Sequence, residues 1–248
     1  MSGPSNADRF LNAYAVIEHE MQKMLDLKDR RRFYDLIDKA ARVNPVINRY
    51  KFDLKEYGDL RNAIVHDRAD GQVIAEPNND AVAAIERIAG MLLEPPRVVP
   101  LFQKRVLTLS ASEAVTRAVK EMSRHAYTQV PLIEADTMIG LLTSNMIVKW
   151  MGKSLTDGSL DLEQTTLGDV LRIVGHEDNY RLVSINTSLF KVVDLFYRCQ
   201  VEGNKLEAVL ITEHANTSEP LIGIITNRDL PLVQRELDQA GREGPNEK

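Results

Sequence analysis

The feature that most constrains the fold of this chain is a short motif that occurs twice in its second half. One copy reads Gly140-Leu-Leu-Thr143 and the other reads Gly223-Ile-Ile-Thr226. Each copy ends an apolar, strand-like run and precedes a stretch with helical spacing. A unit used twice predicts a pseudo-symmetric pair, and the clefts between its halves are where a small ligand would bind.

Both copies are predicted to have the same order of elements, namely strand, helix, two strands and a closing helix. In the first copy we expect strands at 106–109, 130–133 and 138–142 and a closing helix at 144–151. In the second copy we expect strands at 182–185, 208–211 and 221–225, with helices at 188–198 and from about 227. A capping-box spacing between Ser110 and Glu113 predicts the start of a helix. Residues 153–164 are polar and predict a loop.

The first part of the chain has helical rather than strand periodicity. Apolar residues recur every three or four positions, as in Phe10, Tyr14, Ile17 and Met21. Three prolines between Glu94 and Pro100 end this region. We therefore expect an α+β protein, in which an all-α bundle of four or five helices at 8–94 and a proline-rich linker at 95–103 precede the two β-α-β-β-α units. Residues 67–72 are predicted to be a polar loop.

Composition narrows the classes of function. The chain has 248 residues, enough for two domains, and a net charge of -5, which gives no basis for non-specific nucleic-acid binding. Cys199 is the single cysteine, so no disulfide forms within the chain. No apolar run approaches the roughly 20 residues that cross a bilayer. These features predict a cytoplasmic protein that has no membrane partner.

The repeated units resemble CBS domains, and the pair resembles a Bateman module. The resemblance is carried by the Val130-Pro-Leu-Ile133 strand, the two Gly-apolar-apolar-Thr motifs and the Thr226-x-x-Asp229 that closes the second copy. It covers a first CBS motif at 104–152 and a second at 166–240. It implies a homodimeric ligand sensor that binds AMP, ADP, ATP or S-adenosylmethionine and needs no metal.

The resemblance also implies a ribose site. In that family a threonine hydroxyl and an aspartate carboxylate hold the ribose of an adenosine ligand, and these match Thr226 and Asp229. The chemistry is sound, because a carboxylate can accept from both hydroxyls of a cis-diol. Met146 stands where the first copy should have its acid. We therefore expect one working ribose site and an empty or altered cleft at Thr143 and Met146.

Other residues are assigned to the same cleft by the resemblance. Arg228 would neutralise a phosphate, and Gly223 would let the backbone approach the ligand closely. Glu207 stands where related sensors often have a basic residue, which favours a nucleoside or monophosphate over a triphosphate. The remaining candidates are Ser110, Ser112 and Thr187 to complete the cleft, and Val130 and Ala208 to contact adenine.

A second motif lies in the helical region. Leu60-Arg61-Asn62 followed by His66 is similar to the signature of HEPN domains, helical bundles many of which dimerise and cleave RNA without a metal. The resemblance gives catalytic roles to Arg61, Asn62 and His66. On an unbroken helix, however, Arg61 and His66 would lie about 140° apart. They share a face only if the helix loosens there, and a composite site across a dimer is the other arrangement that would join them.

The sequence leaves three functions open. The first is a regulatory protein whose CBS pair binds an adenosyl ligand and controls the helical domain. The second is an enzyme, a metal-independent ribonuclease of HEPN type that the CBS pair gates, with RNA as its partner. The third is a non-catalytic structural interaction module.

Overall fold

In the computed structural model the described residues are 3–26, 32–66, 68–69, 72–73, 76–175 and 178–241, and the side chains of 66, 68–69 and 72–73 are outside the description. The contacts divide the chain into two compact units. The helical unit contains Met1–Pro96, Ser188–Asp194 and Pro231–Lys248. The mixed unit contains Arg97–Thr187 and Leu195–Leu230. The α+β class predicted from the sequence is confirmed.

The helical unit begins with a run of helices. Their bounds are α1 Asn6–Met24, α2 Phe33–Ala40, α3 Pro45–Arg49, α4 Lys51–His66 and α5 Asn79–Leu93. Between α4 and α5 the strands β1 (Arg68–Ala69) and β2 (Gln72–Val73) pair antiparallel. The prediction of a plain polar loop at 67–72 was therefore wrong, because this segment contains part of a hairpin.

Capping side chains set where these helices begin. Ser5 and Asp8 form a capping box at α1. The Asn44 side chain accepts from the backbone N–H groups of Val46 and Ile47 at the start of α3, next to Pro45 at its first position. The apolar stripe predicted for α1 is buried in the unit's core, with Phe10, Ile17 and Met21 fully covered.

Two repeats of one topology occupy the chain from Leu109 to Ala240. The first contains β3 Leu109–Ser110, α6 Val115–His125, β4 Gln129–Glu134, β5 Thr137–Thr143, α7 Ser144–Thr156 and α8 Leu167–Val174. The second contains β6 Tyr180–Ser184, α9 Leu189–Val201, β7 Ala208–Thr212, β8 Gly223–Thr226, a 3-10 turn Asn227–Asp229 and α10 Leu230–Ala240. In each repeat the first strand runs parallel to the second, and the second runs antiparallel to the third.

Some local predictions for the first repeat were wrong. The Glu113 side chain accepts from the Ser110 backbone N–H at 2.8 Å, but α6 begins at Val115 with Ala114 as its N-cap. The pair therefore closes a turn before the helix instead of capping it. The closing helix α7 also runs on to Thr156, into the segment predicted as a loop.

The segment predicted as a linker is packed from Arg97 onward. Val98 and Phe102 are buried. The Val98 N–H donates to the Thr187 carbonyl at 2.9 Å, and the Lys104 N–H donates to the Ile222 carbonyl at 3.0 Å. These bonds tie the segment to the second repeat. Across the described ranges, no helix combines the length and apolarity needed to span a membrane.

Candidate functional site

The closing motif of the second repeat lies at a cleft of about 280 Å³, which we call the Asp229 cleft. Its size is near the lower end of the range for small-molecule sites. All of the residues that line it belong to the mixed unit, and they come from both repeats. They are residues 104–107, 125–129 and 131 together with Ile224, Thr226, Arg228 and Asp229.

Thr226 and Asp229 are joined directly. Oδ2 of Asp229 accepts from the Thr226 backbone N–H at 2.7 Å and from the Thr226 hydroxyl at 2.9 Å. Both residues are partly exposed to the cleft. Oδ1 of Asp229 accepts no hydrogen bond from any residue that the structure describes. Since a carboxylate has about four acceptor sites on its two oxygens, the side chain retains capacity for a ligand.

A second Thr-x-x-Asp segment provides an internal comparison. Oδ2 of Asp169 accepts from the Thr166 backbone N–H at 3.1 Å and from its hydroxyl at 2.7 Å, at the start of α8. These hydrogen bonds hold the pKa of Asp169 below its usual range. The other oxygen of Asp169 accepts from the Arg172 guanidinium. The capping geometry is thus the same as at Asp229, but Asp169 has both oxygens engaged.

Basic side chains from both repeats line the Asp229 cleft. Lys104, Arg105 and Arg228 all contribute to its wall. Among the residues described, none of the three has a carboxylate partner. Of these, only Arg228 was anticipated from the motif. The Lys104-Arg105 pair follows the proline-rich segment. Two adjacent basic residues were the only sequence signal for this part of the site, and they belong to no recognised motif.

His125 and Tyr127 add an aromatic wall that was also missed. Their rings stack with centroids 5.3 Å apart and an angle of 21° between the planes. His125 Nε2 lies 3.4 Å from Oε2 of the buried Glu121. Glu121 also binds Arg117 and Arg124 on the same helix. Nothing in the sequence spacing of His125 marked a site.

Gly223 lies at a close approach between two backbone segments. A Cβ at this position would lie 2.2 Å from the carbonyl oxygen of Phe102. The close approach is therefore made by the segment that leads to Lys104, which also bridges to Gly223 through Gln103. Gly223 admits this segment against β8 and so places Lys104 and Arg105 at the cleft.

Val130 and Ala208 do not line the Asp229 cleft. Both are fully buried. Successive side chains of a strand point to opposite faces, so Gln129 and Pro131 line the cleft while Val130 packs into the core of the first repeat. Ala208, paired with Thr226 in register, packs in a second core cluster with Met138 and Leu141.

Ser110, Ser112 and Thr187 also lie away from the lining of this cleft. The cleft is at the beginning of β4, whereas Ser110 ends β3 and pairs with Ile133 farther along β4. The Ser110 and Ser112 hydroxyls are 2.8 Å apart and hydrogen-bond to each other. In the second repeat, the Thr187 hydroxyl lies 3.4 Å from that of Ser184. The parallel pairing of β3 with β4 places Ser110 past the cleft.

Glu207 is not part of the lining of the cleft. Its carboxylate binds the Lys205 ammonium group at 2.6 Å, and Lys205 is not part of the lining either. The Glu207 carbonyl accepts from the side chain of Gln129, which does line the cleft.

Residues of both repeats form another cleft of about 550 Å³, the Met146 cleft. Thr143 is buried, and its hydroxyl accepts from the Met146 N–H at 3.2 Å, which caps α7. The Asp178 carboxylate in this cleft is paired with Arg181 at 2.8 Å. The space is open but lacks the threonine–aspartate pair of its counterpart. Its lining is Ile139, Gly140, Leu141, Met146, Leu171, Asp178, Tyr180, Arg181 and Leu182.

The residues of the HEPN-like motif lie on a continuous helix. Helix α4 is unbroken from Lys51 to His66, so it does not loosen between Arg61 and His66. The guanidinium of Arg61 lies 5.9 Å from the centre of the Tyr14 ring, and its Nη1 donates to Oδ1 of Asn62 at 3.3 Å. The side chain of His66 is outside the described residues. Arg61 is partly buried beside Tyr14, whereas Asn62 is exposed.

Comparison with known proteins identifies the first repeat. Residues 99–153 match the family model of the CBS domain. No curated protein is similar enough to this chain to match it.

Three solved structures are similar to part of the chain. The protein AcuB from Vibrio cholerae is 15% identical with a TM-score of 0.46, over 60% of this chain and 98% of its own. CBSX2 in complex with AMP is 15% identical with a TM-score of 0.44, over 58% and 98% of the two chains. The CBS domain pair of protein MJ0100, in complex with 5′-methylthioadenosine and S-adenosyl-L-methionine, is 15% identical with a TM-score of 0.42, over 57% and 98%.

The second repeat has the same order of strands and helices as the first, with the same parallel and antiparallel pairings. Residues 99–153 are thus similar to the CBS domain family, and the two repeats together have the fold of a CBS pair.

Proposed function

We propose that this protein is a regulatory sensor whose CBS pair binds a phosphorylated adenosine ligand in the Asp229 cleft. The observation that carries this proposal is the meeting of Thr226, Arg228 and Asp229 in one cleft with basic residues of the first repeat. The cleft therefore contains a carboxylate that can bind a sugar and basic groups that can bind phosphate.

The ribose is assigned to Asp229. Its Oδ2 is held by Thr226, which fixes the direction of the carboxylate, and its Oδ1 is the acceptor turned to the ligand. A hydroxyl that donates to a fixed carboxylate makes a charge-assisted hydrogen bond, which is stronger than a neutral one. Asp169, which has the same capping bonds plus Arg172, offers no comparable acceptor.

The phosphates are assigned to the cationic wall. Lys104, Arg105 and Arg228 supply three positive charges against the single negative charge of Asp229. This balance favours ligands with several phosphate charges, so the expected order of affinity is ATP and ADP above AMP and AMP above adenosine. The same balance opposes S-adenosylmethionine, whose sulfonium group is cationic. The adenine ring is assigned to the stacked pair of Tyr127 and His125.

Regulation of the helical unit is the further part of this proposal. Ligand binding changes a protein's state only if its affinity differs between two states. We expect that nucleotide binding changes the rate of hydrogen exchange of backbone amides in α1–α5. Unchanged exchange rates there would mean that the protein binds nucleotide but does not regulate its helical unit.

We also propose that the protein is a homodimer. Helix α7 exposes Val148 and Leu155, which are 65% and 64% exposed, one above the other on the helix surface. Apolar side chains aligned in this way are typical of a surface that another chain covers. Light scattering on a size-exclusion column should give twice the mass of the 28.0 kDa chain. The mass of a single chain would reject the dimer.

Isothermal titration calorimetry tests the ligand proposal. Adenosine, AMP, ADP, ATP and S-adenosylmethionine are titrated separately into the full chain at one salt concentration. We expect affinity to rise with phosphate number and S-adenosylmethionine to bind most weakly. The proposal of an adenine sensor fails if none of these compounds binds.

A further inference from the structure

A third cleft, unrelated to the CBS fold, lies in the helical unit between α1, α2 and α4. It has a volume of about 430 Å³, within the usual range of small-molecule sites. We call it the helical cleft. The residues of its lining that carry the argument are Tyr14, Glu18, Arg32, Phe33, Arg61 and Asn62.

One wall of the helical cleft is aromatic. The rings of Tyr14 and Phe33 stack with centroids 4.2 Å apart and planes inclined by 28°. Both side chains are largely buried, yet both reach the cleft. Such a pair offers a flat apolar surface to one end of a ligand.

The rest of the cleft presents charges of both signs. The Arg61 guanidinium is held 5.9 Å from the centre of the Tyr14 ring, and one of its amino groups donates to Asn62. Glu18 is four residues after Tyr14 on α1, so both side chains lie on the same face of that helix. Burial raises the pKa of the Tyr14 hydroxyl. The Glu18 carboxylate raises this pKa further, and the Arg61 guanidinium lowers it.

These charges are not satisfied by one another. Neither Arg32 nor Arg61 forms an ion pair with a carboxylate among the described residues, and Glu18 forms none with a described cation. Two guanidinium groups and one carboxylate therefore face a common space beside an aromatic wall. A ligand that satisfies all of them needs an anionic end, a cationic end and an apolar part.

We propose that the helical cleft binds a free α-amino acid with an aromatic or large apolar side chain. The ligand carboxylate would bind Arg61 and Arg32, its ammonium group would bind Glu18, and its side chain would pack on Tyr14 and Phe33. A guanidinium matches a carboxylate with two parallel hydrogen bonds. An RNA strand has no ammonium group and would place phosphates beside Glu18, so the same cleft disfavours it.

The test is calorimetry of the full chain with a panel of amino acids and with matched analogues of the one that binds best. The analogue without the amino group tests the proposed contact with Glu18. The amide that lacks the carboxylate tests the proposed contacts with Arg61 and Arg32. Glu18→Gln and Arg61→Gln are compared with two controls outside the cleft, Glu20→Gln on α1 and Arg87→Gln on α5. Circular dichroism and thermal melting of each variant without ligand establish that it is folded.

We expect Arg61→Gln to weaken binding of the amino acid by about tenfold or more, since it removes a charge-assisted contact. Glu18→Gln should weaken the amino acid similarly and leave the deaminated analogue unchanged or bound more tightly. Both controls should bind like the unmodified protein. The proposal is overturned if no amino acid binds, if Glu18→Gln and Arg61→Gln bind as the controls do, or if an RNA oligonucleotide displaces the amino acid. Should Arg61→Gln not fold, the Glu18→Gln result with the two analogues decides alone.

Discussion

Oδ2 of Asp229 accepts hydrogen bonds from both the backbone N–H and the hydroxyl of Thr226, at 2.7 and 2.9 Å. The residue that caps the turn is therefore also the residue proposed to hold the ligand. Capping fixes the carboxylate through one oxygen and leaves the other for the cleft. The Thr166–Asp169 pair has the same capping bonds, so the two roles can be separated by experiment.

Replacing Asp229 by Asn should weaken nucleotide binding, because a neutral amide is a poorer acceptor for a ribose hydroxyl than a carboxylate. We expect a loss of about tenfold in affinity for AMP or ATP, measured by calorimetry. Asp169→Asn is the matched control. It removes the same type of capping carboxylate outside the cleft and should leave affinity unchanged. Equal losses in the two variants would mean that only capping matters.

Gly223→Ala should destabilise the protein and displace the basic wall. The new methyl group would lie 2.2 Å from the Phe102 carbonyl oxygen, so the backbone leading to Lys104 must move. We expect a loss of roughly 1–3 kcal/mol in the free energy of unfolding, measured with urea, and weaker binding of ATP. Gly152→Ala is the control, because a Cβ there meets no atom within 4 Å and Gly152 lies within α7. A Gly223→Ala protein as stable as the control would refute the close-approach role.

Reversing the charges of Lys104 and Arg105 to Glu should remove the preference for phosphates. Each lost contact near the surface is worth roughly 0.5–1 kcal/mol, so ATP affinity should fall about tenfold. Adenosine affinity should change little. Lys120→Glu, an exposed substitution on α6 that is not part of the cleft, shows the effect of one charge reversal outside it. If adenosine and ATP weaken equally in the double variant, the phosphates lie elsewhere.

The Thr166–Asp169 capping box should make stability depend on pH in acid. The folded-state pKa of Asp169 is lowered from 3.8, chiefly by the Thr166 hydroxyl, so its contribution is present above that value. It is lost as the pH falls through the lower folded-state pKa. We expect Asp169→Asn to cost about 1 kcal/mol in the free energy of unfolding at pH 7 and almost nothing at pH 2. A difference between the two proteins that stays constant from pH 7 to pH 2 would contradict this assignment.

We expect no cleavage of RNA by this protein. Helix α4 continues unbroken through Arg61, and Arg61 is held beside Tyr14. Labelled single-stranded RNA is incubated with the protein and with His66→Ala, with and without ATP. Cleavage that disappears in His66→Ala would establish the HEPN-type ribonuclease instead.

Much of the fold could be predicted from the sequence, because its signals are local. The stripe from Phe10 to Met21 and the Asn44-Pro45 cap each depend on neighbouring residues, and the repeat is visible as Gly-x-x-Thr twice. The pairing of Thr226 with Asp229 was predictable for the same reason. The remaining walls of the cleft depend on which strands are parallel and on which face a residue points to.

Those two properties decide which of the predicted residues line the cleft. Val130 was chosen as a cleft residue, but its neighbours Gln129 and Pro131 occupy that face of β4. The role of Gly223 could not be predicted either, because its partner Phe102 is more than a hundred positions away in the sequence. Lys104 and Arg105 become part of the site only through that same contact.

A crystal structure of the full chain grown with ATP tests the central claim most directly. We predict density for one nucleotide in the Asp229 cleft, with a ribose hydroxyl within hydrogen-bonding distance of Asp229 Oδ1 and phosphates beside Lys104, Arg105 and Arg228. Density for the nucleotide in the Met146 cleft, with no ligand at Asp229, would contradict the account.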